Sequence, residues 1–96
     1  MKGSIVDYIP VGRDNPISRK SLSMCTELPD RHVRKLISEA RANGYAIVGD
    51  PNGGYYMAEN EDDVKLLLGE LMSRMTKLFK CYDAVMKKER ACGRIA

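Results

Sequence analysis

Apolar positions change their spacing along this chain, and each spacing predicts a different element. Residues 4–9 read Ser-Ile-Val-Asp-Tyr-Ile. Ile5, Val6 and Ile9 share a helical face, Ser4 can cap it and Pro10 ends it, so a short first helix is expected. Residues 11–16 are punctuated by glycine, asparagine and proline and read as loop. Ile17 and Ser18 then open a second helical segment with Ser18 as N-cap. Leu22, Cys25 and Leu28 follow at three-residue steps on one face, which makes Cys25 a small core residue, and Pro29 stops the segment. A third helix starts at Pro29 or Asp30. Its stripe is Val33, Leu36, Ile37 and Ala40, the i, i+3, i+4, i+7 pattern of one buried face. Asn43 and Gly44 end it, with Gly44 as the left-handed cap.

The period then shortens. Residues 45–48 are rich in strand formers, 49–54 form a dense turn cluster, and Tyr55, Tyr56 and Met57 alternate again. Two short strands around such a turn predict a hairpin. Asn60 caps a last helix whose first turn is acidic at Glu61, Asp62 and Asp63, in accord with the helix dipole. This helix runs to about Arg90. Val64, Leu68, Leu71, Met75, Leu78, Tyr82 and Val85 recur at alternating steps of four and three, a heptad pattern held over three repeats. Leu67, Met72, Phe79 and Met86 widen the stripe.

Charge adds a location. The chain of 96 residues carries a net charge of only +3. Residues 18–41 hold six Lys/Arg against three acids, so an excess equal to the whole net charge is gathered there. Three cysteines, Cys25, Cys81 and Cys92, form neither an even set nor a metal-ligand spacing, which points to reduced thiols, no zinc site and a cytoplasmic protein. The apolar stretch near the N-terminus is interrupted by Asp7 and reads as no secretory leader. No run approaches the ~18 apolar residues of a membrane span.

The element order and several segments carry a resemblance. Ile17-Ser-Arg-Lys-Ser-Leu22, then Leu28-Pro-Asp-Arg-His-Val-Arg-Lys-Leu-Ile-Ser-Glu-Ala-Arg41, then Asn43-Gly-Tyr-Ala-Ile-Val48 and Asn52-Gly-Gly-Tyr-Tyr-Met57 resemble the small bacterial and phage winged helix-turn-helix proteins related to the DNA-binding domain of the biotin repressor. The similarity covers residues 17–57. It departs from that family's pattern in two places: Thr26-Glu27-Leu28 replaces the usual glycine-bearing turn, and Pro29 stands where a Ser or Asp cap is common. The resemblance implies a winged helix-turn-helix domain over 1–59; with the long helix over 60–90 and a flexible tail over 91–96 read from the spacing, the fold expected is α+β, mostly α. The resemblance also implies that the helix beginning near residue 30 enters the major groove of double-stranded DNA while the hairpin touches the adjacent backbone.

The residues agree with that implication. Arg31, His32, Arg34, Lys35, Ser38 and Arg41 lie opposite the apolar stripe, and arginine can fork onto a guanine edge. Ser18, Arg19 and Lys20 are placed to meet phosphates, as are Asn52 and Gly53 at the hairpin tip. The competing reading of the basic face is an ordinary solvated helix surface. Tyr45, Tyr55 and Tyr56 could stack on bases, although packing is favoured for Tyr55. The glycine-rich turn lacks the Gly-Lys-Ser/Thr ending of a phosphate loop, and the acids at 61–63 open a helix and form no general acid/base pair. No nucleophile stands beside a base, so neither an enzyme nor a cofactor or small-molecule ligand is expected. For the heptad stripe two uses are open: packing on the first helix of its own chain, or a homodimer through Leu68, Leu71, Met75, Leu78 and Tyr82. The dimer is favoured because the stripe outruns the small core available to cover it. A protein-interaction module docking through this helix is the alternative function.

Overall fold

The computed structural model describes residues 1–96. The fold is α+β and mostly helical. A 3-10 turn, Ile5–Tyr8, leads to strand β1 (Ile17–Ser18), helices α1 (Arg19–Thr26) and α2 (Asp30–Ala42), strands β2 (Ile47–Gly49) and β3 (Gly54–Met57), and a long helix α3 (Glu61–Cys92). The three strands form one antiparallel sheet in the order β1-β3-β2.

The expected first helix is a single 3-10 turn. Ser4 accepts from the Val6 N–H and Asp7 returns a bond to the Ser4 N–H, which closes a capping box over four residues. Pro10 leaves no room for more. Its apolar side chains do what the spacing required: Ile5 and Ile9 are buried in the main core.

The second segment differs from the expectation in three ways. Ile17 is a strand residue paired with Tyr55, not the opening of a helix. Ser18 is the N-cap, and the residue before a cap is extended, so Ile17 is free to join β3. The approach is close: a Cβ on Gly54 would lie 2.6 Å from the Ile17 carbonyl oxygen. Cys25 is exposed and makes no part of the core. The helix faces inward at Leu22 and Thr26 instead, both fully buried, because Thr26 Oγ1 donates to the Leu22 carbonyl at 2.7 Å and so enters the apolar interior satisfied. Finally, α1 stops at Thr26, before Pro29. Glu27 turns the chain at φ 60° and ψ 31°, the left-handed conformation that glycine commonly supplies. Leu28 reaches the core from the loop.

From there the pattern holds. Val33, Ile37 and Ala40 of α2 are buried and Leu36 packs on the cluster's edge. Gly44 takes φ 98° just past the helix. The first hairpin strand begins at Ile47, two residues later than the stretch 45–48 suggests, since the Tyr45 N–H still bonds to the Ala40 carbonyl in closing α2. Leu22, Val33, Ile37 and Ile47 centre the main core. Sheet alternation sends Tyr56 to the other face, where Val48, Tyr56 and Leu67 of α3 form a second, smaller cluster. Tyr55 packs on the main cluster.

Helix α3 is capped by Asn60, whose side chain accepts from the Asp63 N–H at 3.0 Å, and it continues two residues past Arg90 to a Gly93 cap at φ 79°. Asp63 is more than a dipole partner. It is buried, its Oδ2 accepts from the Glu59 N–H at 3.0 Å, and its Oδ1 accepts from Arg13 at 2.9 Å. This set fastens the start of α3 to the loop before β1. Beyond Leu67 no residue of α3 is buried. The helix packs on β2 through its first turns and projects from the body, giving extents of 51 × 30 × 24 Å. No helix is long and apolar enough to cross a membrane.

Candidate nucleic-acid interface

Three elements converge on one side of the body. The N-terminus of α1 brings Arg19, α2 brings Arg34, Ser38 and Arg41, and the β2–β3 turn brings Gly53 and Gly54; all border one open groove. A second, shallower concavity adjoins it through Arg19 and Gly53, and Ser18, Lys20, Asp30 and Asn52 line it. Eight of the eleven residues expected to meet DNA therefore share two adjoining concavities. Arg31, His32 and Lys35 line neither; they project from the exposed outer face of α2.

Each position has a local cause. On α2 the buried stripe of Val33, Ile37 and Ala40 fixes the rotation of the helix. With 3.6 residues per turn, Arg34, Ser38 and Arg41 then fall on the shoulder next to the hairpin, while Arg31 and Lys35 point away from the core. The turn keeps its shape through Asp50: its backbone carbonyl accepts from the Gly53 N–H at 2.9 Å and its Oδ2 accepts from the Asn52 N–H at 3.0 Å. Gly53 has φ 94°, so glycine is needed there. The Ser18 hydroxyl is already engaged, accepting from the Ser21 N–H at 3.0 Å.

Electrostatics divides the cations into two groups. Asp30 lies between two arginines, 3.6 Å from Arg19 and 3.1 Å from Arg34, and holds both at the mouth of the groove. Arg41 is half-buried. Its Nε donates to the Ile47 carbonyl at 2.8 Å, its guanidinium lies 6.0 Å from the centre of the Tyr55 ring, and burial pulls its pKa below the ordinary arginine value. Arg41 is thus a brace between α2 and the hairpin as well as a groove cation. Arg31, Lys35 and Lys20 make no ion pair and are exposed, and His32 is exposed beside them.

The groove's one cation from α3 escaped the sequence reading. Arg74 reaches the groove from α3 and pairs with Glu70 one turn earlier. Arg74 lies 33 positions from the nearest cation of α2, Arg41. Only the packing of α3 against β2 brings it near, and no local motif announces it.

His, Cys, Asp and Glu side chains form no group of three that could hold a metal ion. Protein-family models, curated proteins and solved structures contain no match to this chain.

Proposed function

We propose that this protein is a winged helix-turn-helix that binds double-stranded DNA, with α2 in the major groove and the β2–β3 turn against the neighbouring phosphates. The observation that carries this reading is convergence. Arg19, Lys20, Arg34, Arg41 and Arg74 come from three helices, yet they line one pair of concavities beside a helix whose outer face is Arg31, His32 and Lys35. An ordinary solvated helix surface would scatter its cations and would not gather them from α1 and α3 beside a glycine-tipped turn.

The two groups of cations suit two tasks. Arg31 and Lys35, unpaired and outermost, are placed to reach base edges, where a good bidentate contact is worth about 1–3 kcal/mol of discrimination. Arg19, Arg34 and Arg74, held by Asp30 and Glu70, are placed to exchange those carboxylates for phosphates. Regulation of transcription, or a related DNA transaction of a phage or mobile element, is the role that this activity would serve.

The deciding experiment is binding to random-sequence duplex DNA over a range of salt, with Arg31→Ala/Arg34→Ala/Lys35→Ala alongside. Log affinity should fall linearly with log salt, at a slope of roughly −0.9 per phosphate neutralised, and the triple variant should lose both affinity and slope. Absence of binding at ~50 mM salt, or a variant equal to wild type, would overturn the proposal.

A further inference from the structure

Leu68, Leu71, Met75, Leu78, Tyr82 and Val85 form the apolar stripe of α3, and the fold leaves it open: Met75 is 57% exposed and Leu78 71%. We infer that this stripe is covered by a second copy of the same helix, running antiparallel, with the two-fold axis between Met75 and Leu78.

Three observations select this occupant and this direction. The first is that the stripe is complementary to itself. In an antiparallel pair centred between residues 75 and 78, Met75 meets the second copy's Leu78, Leu71 meets its Tyr82 and Leu68 meets its Val85, so that each of the six side chains has an apolar partner of the same set. The second is size. At roughly 100 Å² of exposed area per side chain, with Met72 and Phe79 on the shoulder, each copy offers on the order of 800 Å², the per-partner share of a standard interface.

The third observation is charge, and it sets the direction. With Asp63 buried against Arg13, residues 61–70 still offer three acids and one lysine, whereas residues 77–90 hold five bases and two acids. An antiparallel pair lays the acidic start of one helix beside the basic end of the other, at both ends of the interface. A parallel pair would instead align Lys87, Lys88 and Arg90 of both copies and bring the two acidic starts together. Opposed helix dipoles act in the same sense as the side chains.

The pairing has a geometric consequence. Each body is fastened to α3 at Asp63 and Leu67, about a dozen residues from the axis. At 1.5 Å rise per residue, the two bodies stand about 35 Å apart along the helices, close to one turn of B-form DNA. That spacing, unlike the pairing itself, rests on the DNA-binding reading.

The test uses the full chain without DNA. In Cys25→Ser/Cys81→Ser only Cys92 remains, and it is labelled with a nitroxide for pulsed distance measurement while mass is read by sedimentation. The expected result is a dimer with labels about 45 Å apart. A dimer with labels within about 20 Å would mean parallel pairing and would overturn the inference, as would a monomer at ~100 µM. Met75→Glu/Leu78→Glu, which alters only exposed positions, should give a monomer whose main core stays folded; a variant that stays dimeric would place the interface elsewhere. Because these readouts are made without DNA, their failure would leave the groove reading standing. Absence of DNA binding by the wild type, or a triple variant equal to it, would overturn the groove reading and likewise leave the dimer standing.

Discussion

Two aspartates show how one residue type serves opposite ends here. Asp63 is buried, and its pKa is held below the ordinary range, first by the Glu59 N–H and then by the Arg13 guanidinium, with burial opposing both. A carboxylate whose folded-state pKa is depressed contributes stability that is present above its unfolded value and lost as pH falls through the folded value. Comparing denaturant midpoints of wild type and Asp63→Asn across pH should therefore show a large gap at neutrality that closes below about pH 4, the unperturbed aspartate value. A gap independent of pH would mean that the carboxylate's charge contributes nothing. Asp30, in contrast, is half-exposed and pairs with both Arg19 and Arg34, so on the proposed function it would compete with DNA for them. Asp30→Asn frees both cations, so affinity for random duplex at low salt should rise roughly 3- to 10-fold, with a steeper salt slope. The loss of a first-turn acid should cost stability only about 0.3–1 kcal/mol. An unchanged slope would remove Arg19 and Arg34 from the phosphate contacts.

At the scale of elements, what could be read from the sequence depended on how local the cause was. Ser18 and Asn60 as caps, the stripe of α2, the hairpin and the glycine stops all arise from neighbours within a few residues, and each was visible in the spacing. The strand at Ile17 was not, because its partner Tyr55 is far along the chain and a two-residue strand has no period of its own. Cys25 was misplaced for a subtler reason. Leu22, Cys25 and Leu28 suggest a face at three-residue steps, but an α-helix returns to Leu22 nearer the fourth residue, and a threonine bonded to the Leu22 carbonyl passes as apolar. Of the candidate interface, the part on α2 was visible as basic residues opposite a buried stripe, whereas the hairpin tip entered only through the resemblance. The Arg13–Asp63 pair and Arg74 were not, since both depend on where α3 docks. The turn at Glu27 can be tested directly. A non-glycine residue in the left-handed region costs about 1–2 kcal/mol. Glu27→Gly should raise stability by about 0.5–1 kcal/mol after glycine's extra unfolded-state entropy is counted, read as a thermal midpoint a few degrees higher. Glu27→Ala should show no such gain, and equal midpoints for the two would locate the cost outside the backbone.

The whole molecule is a small body with a long arm. Its radius of gyration is 17.2 Å, against about 12.5 Å for a compact chain of this length. The arm has little to hold it in a lone copy. Lys87 pairs with Asp83 at 3.0 Å on its outer half, and such a pair adds only about 0.2–0.5 kcal/mol. Helices of about 15 residues without a packed face are marginal in water. The antiparallel pairing would supply that face, so order in the outer half of α3 should depend on protein concentration while order in the body should not. Amide exchange measured from ~1 to ~100 µM should show protection of Leu78 to Val85 rising with concentration, and constant protection at Leu22, Ile37 and Ile47, which belong to the main core. In Met75→Glu/Leu78→Glu the outer amides should exchange quickly at every concentration. If the wild-type outer half were protected equally at both ends of the range, its order would come from within one chain. The arm would then be a rigid lever on the body, and the stripe along it would need a different partner.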